Sequence, residues 1–329
     1  MIRNFPIKNT SNQIAFLGWN HPAQKSFEKL AKQGWVSVLI LPSMENWRAE
    51  SVLSIARKYD IKVEAKISKL ENYNYSIIVC SNYPKIVPEK WLKDKIAINC
   101  HWSLLPKYRG MHSTAWALIN GDEYIGQSIH FMEGEFDTGD VIVQSSIKVD
   151  EYMDITDIFK ALSDLEADNL HNVIEEYFKS GIINRDKQNE DHAIYVPRRT
   201  ERMGRIDWAK SSKEIWNLTR ALPVSYYPPA YTYLGENILE IIEAELVDSD
   251  PYVCIPGEIV RVQKNYGVNV KTGDSVIKIN KVRKFGEREI LDATDVLARG
   301  MHLGIDLEDE IFSLKKKVIE LTNQIELLQ

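Results

Sequence analysis

The first half of the chain is a series of short, continuously apolar runs separated by segments of helical spacing. Ile14–Gly18 (IAFLG), Val36–Leu41 (VSVLIL), Ile61–Glu64, Ser76–Cys80 (SIIVC) and Ile96–Cys100 (IAINC) read as strands. Pro22–Lys32, with Phe27, Leu30 and Ala31 at helical spacing, and Ala49–Tyr59 read as helices. A strand that is apolar on every residue is covered on both faces. With helices between such strands, the pattern indicates a parallel sheet layered on each side. Gln127–Glu133 and Val141–Ile147 add two strands, and residues 154–180 read as one long helix with Thr156 or Ser163 as its cap. The fold class expected is α/β with a Rossmann-like, mostly parallel sheet.

The pattern changes after residue 182. Asn184–Asp191 is polar and reads as a linker. Beyond it, Ile238–Ala244, Gly257–Val262, Gly267–Lys271 and Ser275–Val282 are short β-like runs broken by Gly, Asn and Asp, which suggests a small β-rich, barrel-like domain. Lys213–Ala221 reads as a helix within it. Leu307, Ile311, Leu314, Val318, Leu321, Ile325 and Leu328 then repeat at alternating spacings of four and three residues. With Ile311, Val318 and Ile325 at a and Leu314, Leu321 and Leu328 at d, a parallel two-stranded coiled coil is favoured, and Glu310 at g faces Lys315 at e of a partner. The division expected is residues 1–190, 191–304 and a heptad helix over 305–329, with a homodimer formed through that helix. The competing reading is an amphipathic helix lying on its own body.

Composition narrows the function classes. The 329 residues carry 41 basic and 47 acidic side chains, a net charge of −6. A negative sum argues against a general binder of nucleic acid or of anionic membranes. Three cysteines make neither a disulfide framework nor a zinc ribbon. No apolar run approaches the roughly 18 residues that span a bilayer. The polar N-terminus lacks a signal-peptide core, so a cytoplasmic protein without membrane association is expected. Scattered His, Asp and Glu show no metal-ligand spacing, and no metal is expected.

The chemistry concentrates between Asn99 and Asp140, in NCHWSLLPKYRG and, further on, SIHFMEGEFDTGDVIVQ. Asn99 and His101 stand at the C-terminal end of the fifth strand, where open α/β sheets bind their ligands. Alternation points both to one side and Cys100 to the other. Asp137 lies in a Gly-containing turn and can approach from another edge. This trio suits acyl transfer to an amine. A histidine can take the proton that the attacking amine loses. The Asn99 amide and a protonated His101 can donate to the oxyanion of the tetrahedral intermediate. Asp137 would orient the imidazole or relay its proton. His130, inside a strand, reads as a packing or hydrogen-bonding residue.

Asn99-Cys-His101, Ser103-Leu-Leu-Pro106 with Arg109-Gly110, and Asp137-Thr-Gly-Asp140 resemble the signature of the folate-dependent formyltransferases. One departure is Trp102, where that family usually has proline. The resemblance implies 10-formyltetrahydrofolate as formyl donor and Asn99, His101 and Asp137 as catalytic residues. It also implies a pterin pocket lined by Asn82, Tyr83, Ile86 and Val87 and by Glu135 and Phe136. Arg198-Arg-Thr200, Gly204-Arg-Ile-Asp-Trp208, Leu218-Thr-Arg-Ala221 and Tyr226–Tyr231 resemble the C-terminal part of two subgroups, the methionyl-tRNA formyltransferases and the sugar N-formyltransferases.

Three features favour a nucleotide-linked amino sugar (UDP-, dTDP- or GDP-linked) as acceptor, with no nucleic acid partner. The net charge is negative, with 16 basic and 16 acidic residues balancing from Asp191 to Gly300. The loop PSMENWRAES after the second strand is short and lacks a basic insertion. Met111–Trp116 looks more like the sugar-acting relatives. On this reading Lys107, Arg109, Gly110, His112, Trp116, Arg198, Arg199, Arg220 and Tyr226 contact the acceptor. Methionyl-tRNA formylation, hydrolysis of the donor, and a non-catalytic folate- or nucleotide-binding assembly protein are the alternatives.

Overall fold

The apolar runs of the first half pair side by side in a single sheet. The computed structural model describes residues 11–43, 49–92, 95–133, 135–222, 228–248, 253–305 and 307–327, the last stretch with part of its side chains. The chain divides into two compact units, Met1–Arg199 and Thr200–Gln329. In the first unit the elements are β1 (Ile14–Gly18), α1 (Asn20–Lys32), β2 (Val36–Ile40), α2 (Glu50–Lys58), β3 (Lys62–Glu64), β4 (Ile77–Ser81), β5 (Ile96–His101), β6 (Arg109–Gly110), α3 (Ser113–Asn120), β7 (Tyr124–Phe131), β8 (Val141–Lys148), α4 (Ile155–Ser180) and β9 (Tyr195–Val196). The sheet order is β3-β2-β1-β4-β5-β7-β8. Its first five strands are parallel, and β7 and β8 extend it antiparallel. The sheet is Rossmann-like and rich in parallel pairs.

Successive residues of each strand enter opposite layers. On one face Phe16, Val79, Ile98 and Cys100 pack with Phe27 and Leu30 of α1 and Leu170 and Ile174 of α4. On the other, Leu17, Ile78, Cys80 and Ala97 meet Tyr75, Val87 and Trp91. Helix α1 starts at Trp19 without a side-chain cap. A cap is worth about 1 kcal/mol, whereas each buried Phe or Leu contributes about 1.5–3 kcal/mol, so packing decides that helix. Helix α4 is capped by Asp154, whose carboxylate accepts from the N–H groups of Thr156 and Asp157. Neither Thr156 nor Ser163 is the cap, because a carboxylate also complements the positive end of the helix dipole. Helix α3, absent from the sequence expectation, ends at Gly121 in the left-handed conformation.

The segment Asn184–Asp191 is not a free linker. Asp186 pairs with Val141 through both backbone groups, and Gln188 is buried.

The second unit holds α5 (Ser212–Ala221), β10 (Ala230–Leu234), β11 (Asn237–Leu246), β12 (Ile259–Gln263), β13 (Gly267–Lys271), β14 (Val276–Lys284), β15 (Leu291–Asp292), α6 (Ala293–Val296) and α7 (Leu307–Leu327). Its strands run β10-β11-β14-β13-β12, with β15 on β14, all antiparallel. Among the described residues β10 and β12 do not pair, so an antiparallel sheet stands where a barrel was expected. Helix α5 packs on β11 and β14 and opens with a reciprocal cap between Ser211 and Glu214. The heptad segment is helical in α7. Ile311, Leu314, Val318, Leu321 and Ile325 are each more than half exposed, and the side chains of Leu307, Glu310 and Leu328 lie outside the described residues. No described helix is long and apolar enough to cross a membrane.

Candidate active site

Alternation along β5 sends Cys100 into the layer of α1 and α4 and leaves Asn99 and His101 on the opposite face. Antiparallel pairing sets Asn99 opposite His130 and His101 opposite Ser128. The chain between β7 and β8 then folds back to deliver Asp137, which sits in the left-handed region at φ 58°. Gly139 makes that turn feasible, since a Cβ there would lie 1.9 Å from the Phe131 carbonyl oxygen. Gln188 holds the turn from beneath by donating to the carbonyls of Asp137 (2.8 Å) and Gly139 (2.7 Å).

The hydrogen-bond partners assign the protons. His101 Nε2 lies 2.9 Å from the Tyr108 carbonyl. A carbonyl only accepts, so Nε2 carries the hydrogen and Nδ1 is left facing Asp137 Oδ2 at 3.6 Å. By the same argument His130 Nδ1 donates to the Phe131 carbonyl at 2.9 Å. Its Nε2 accepts from Asn99 Nδ2 at 3.1 Å and lies 3.5 Å from Asp137 Oδ1. The Gly110 N–H donates to Asp137 Oδ2 at 2.9 Å. Gly110 has φ 107°, and a Cβ would stand 2.4 Å from the Val196 carbonyl oxygen, so this donor requires glycine.

Burial is the largest influence on His101 and lowers its pKa. Asp137 and the Tyr108 carbonyl oppose it without reversing it, and His130 adds to the lowering. Burial pushes the Asp137 carboxyl up, but His101, His130 and the Gly110 N–H outweigh it and hold the carboxyl well below the usual range. Near neutral pH the cluster is therefore a neutral imidazole beside a carboxylate. Such a pair can accept a proton at Nδ1 and stabilise the resulting cation. Asn99 keeps its second amide hydrogen for a developing negative charge on oxygen.

The structure brings Asn99, His101 and Asp137 together. His130, Tyr108 and Gln188 belong to the same cluster and were not among the expected site residues. The alternation that aligns Asn99 with His101 also applies to His130, but only the β5–β7 register shows that it faces them.

Among the residues expected to line a pterin pocket, Asn82 follows Ser81, the last residue of β4, at φ 51°. Tyr83 packs on the same apolar cluster as Met132, and Val87 is buried in it. Ile86 is 72% and Phe136 68% exposed, and Glu135 is exposed beside it.

Among the residues expected to contact the acceptor, the Arg199 N–H donates to His112 Nδ1 at 3.2 Å, Trp116 Nε1 donates to the Pro197 carbonyl at 2.9 Å, and the Arg199 guanidinium lies 6.0 Å from the Trp116 ring. Burial first, then Arg199 and Arg198, lowers the His112 pKa. Lys107 and Arg198 are exposed. Arg109 departs from the expectation of an acceptor contact. It is fully buried and committed to Gln188, Glu190 and Tyr195, so it holds the segment that supports the Asp137 turn. Arg220 belongs to the other unit, where its guanidinium stacks on Trp216 at 4.0 Å. Tyr226 lies outside the described residues. Among the described residues no group of three or more His, Cys, Asp or Glu could hold a metal.

Comparison with known proteins adds family. Residues 8–174 match the model described as Formyl transferase, and residues 199–300 match Formyl transferase, C-terminal domain. The methionyl-tRNA formyltransferase of Caldanaerobacter subterraneus subsp. tengcongensis is 30% identical over 299 residues, covering 84% of this chain and 94% of that protein. That of Fusobacterium nucleatum subsp. nucleatum is 30% identical over 295 residues, with the same coverage of 84% and 94%. Among solved structures, the N-formyltransferase of Helicobacter canadensis, in complex with folinic acid and dTDP-3-aminofucose, has a TM-score of 0.66 at 21% identity, covering 83% of this chain and 99% of that one. HypX of Aquifex aeolicus, in complex with tetrahydrofolic acid, has a TM-score of 0.60 at 18% identity, covering 87% of this chain and 47% of that one. Proteins named as sugar formyltransferases, or bound to a nucleotide-linked sugar, thus enter as shared folds at 19% to 21% identity, whereas these relatives near 30% carry the other name. That finding overturns the expectation of a nucleotide-linked amino sugar as acceptor and, with it, the exclusion of a nucleic acid partner. With both halves matched, and the signature residues gathered at the end of β5, the chain is a formyltransferase of the folate-dependent formyltransferase family.

Proposed function

We propose that this enzyme transfers the formyl group of 10-formyltetrahydrofolate to the amino group of methionyl-tRNA. The observation that carries the reading is the identity of about 30% to methionyl-tRNA formyltransferases across nearly their whole length. Folate ligands bound to structural neighbours support the donor, as does the exposed Phe136 that precedes Asp137 in the chain. When bound, the donor supplies an activated formyl carbon. His101 Nδ1 receives the proton that the acceptor amine loses, and Asp137 stabilises the imidazolium. Asn99 Nδ2 donates to the formyl oxygen as negative charge grows on it. His101 then returns its proton to the departing folate nitrogen.

The charge argument against tRNA fails because a sum hides its distribution. Residues 198–220 hold seven basic and three acidic side chains, residues 261–288 hold eight and two, and residues 236–258 hold seven acidic and no basic ones. Some of this cancels locally, as Glu245 pairs with Lys278 and Glu240 with Arg283. Arg198, Arg202 and Arg205 are exposed and available to phosphates, and local clusters rather than net charge set that affinity.

The test is formyl transfer to methionyl-tRNA, with aminoacyl-free tRNA and a nucleotide-linked amino sugar as controls. Transfer to methionyl-tRNA that weakens steeply with added salt is expected. Transfer to the amino sugar alone, or donor breakdown at equal rate without any amine, would overturn the reading.

A further inference from the structure

We propose that Glu166 of α4, on the opposite face of the sheet from the trio, is a positioning residue that fixes His101 through Trp102 and the donor loop through Ser81. The proposal rests on the formyl-transfer reading given above. Glu166 is 1% exposed. Its Oε1 accepts from Ser26 Oγ at 2.7 Å and Ser81 Oγ at 2.6 Å, and its Oε2 accepts from Trp102 Nε1 at 2.6 Å.

Ser26 lies in α1, and the other two partners are the last residue of β4 and the first residue after β5. Ser81 immediately precedes Asn82, and Trp102 immediately follows His101. The Trp102 carbonyl in turn accepts from Ser113 Oγ at 2.9 Å and Thr114 Oγ1 at 3.0 Å. Trp102 is therefore held at its side chain and at its backbone, and His101, one rigid peptide away, inherits the constraint. The family that this chain resembles usually has proline at this position, whose ring fixes its own φ. Tryptophan has no such ring, and the bond to Glu166 replaces the lost restraint. The donors to Glu166 are neutral hydroxyl, indole and thiol groups. A carboxylate buried without a cation costs several kcal/mol against an apolar residue of its size, so packing gives no reason for it.

The two arms separate in kinetics. In Trp102→Phe, kcat falls about tenfold while KM for the formyl donor stays within about twofold, because small displacements of a catalytic group act on the reacting step. In Ser81→Ala, the donor KM rises by a similar factor with little change in kcat. Glu166→Met combines both losses, and adding Trp102→Phe to it costs nothing further in kcat. Glu166→Gln restores near wild-type values, because its amide oxygen accepts from the indole and its NH2 donates to the serine oxygens. All variants are compared below the lowest melting temperature.

Unchanged constants across the series, or Gln failing as badly as Met in a folded protein, would sink the proposal. The Trp102 indole N–H gives a second readout by hydrogen exchange. Slow exchange in wild type and Glu166→Gln, with fast exchange in Glu166→Met, supports the clamp; equal exchange in all three overturns it. If the wild type formylates no methionyl-tRNA, the acceptor reading fails, while the exchange result still decides the clamp.

Discussion

Asp137 and Glu166 are carboxyls on opposite faces of one sheet, both shielded from water, and they shift in opposite directions. Burial pushes each one up. Around Asp137 stand two imidazoles and a backbone N–H, and the carboxyl ends well below the usual range. Around Glu166 the donors are Ser81, Ser26, Trp102 and Cys100, which only partly offset burial, and the carboxyl ends above its ordinary value. The difference is whether the partners can carry positive charge. A site that must take up a proton repeatedly needs the first arrangement, since the anion has to be present when the imidazole becomes cationic. A group that only holds two strand ends in place can use the second.

The largest effect should come from breaking the reactive side. His101→Ala removes the proposed base and should lower kcat by about 10²–10⁴ with the melting temperature little changed. Asp137→Asn should cost less, and its pH profile is the sharper test. On the proposed mechanism activity requires neutral His101, so the rate rises with pH through the depressed imidazole pKa and levels off above it. The Asp137 anion raises that pKa. Its removal lowers the pKa further, so the acid limb of the rate profile should move to lower pH. A limb that stays in place, or moves up, would mean that Asp137 does not face the group that titrates.

Much of this site was legible in the sequence, for reasons that differ residue by residue. Asn99 and His101 could be placed because strand alternation is local and their strand is apolar enough to be recognised. Asp137 followed from the motif. Partner registers are not local. His130 sits in an ordinary strand pattern, and only its pairing with Asn99 reveals its role. Gln188 and Glu190 lie in a polar stretch that reads as a linker, yet they secure the Asp137 turn and Arg109. Arg109, in a loop next to glycine, looked like an acceptor contact and is instead enclosed. The acceptor was misread because a balanced count of charges says nothing about where they cluster.

Stability should separate the two carboxyls with smaller, opposite signatures. The folded-state pKa of Asp137 is depressed, so its contribution is present above the ordinary carboxylate range and is lost as pH falls toward the folded value. Asp137→Asn should therefore be destabilised near pH 7, by about 1–3 kcal/mol for an unpartnered buried cluster, with the gap closing as pH falls below about 4. Glu166 has a raised pKa, so its contribution is full below the ordinary value and is lost as pH rises through the folded one. Glu166→Gln should match wild type at about pH 4 and become relatively more stable toward pH 7. Melting curves at both pH values check the pair, and parallel shifts for the two variants would break the contrast.

The smallest effect on turnover should come from the far end of the chain. In α7, β-branched Ile311, Val318 and Ile325 alternate with Leu314 and Leu321, all more than half exposed. Such a stripe on an isolated helix gains little from water, and a β-branched a layer with leucine at d suits two parallel copies. We expect the full chain to sediment as a dimer at micromolar concentration and a chain ending at Ile305 to sediment as a monomer. Both carboxyls and the trio lie in the first unit, so turnover per chain and the two pH signatures should survive the truncation. A dimer that persists without α7 would assign self-association to another surface. A loss of turnover with the monomer would mean that the site depends on the second copy after all.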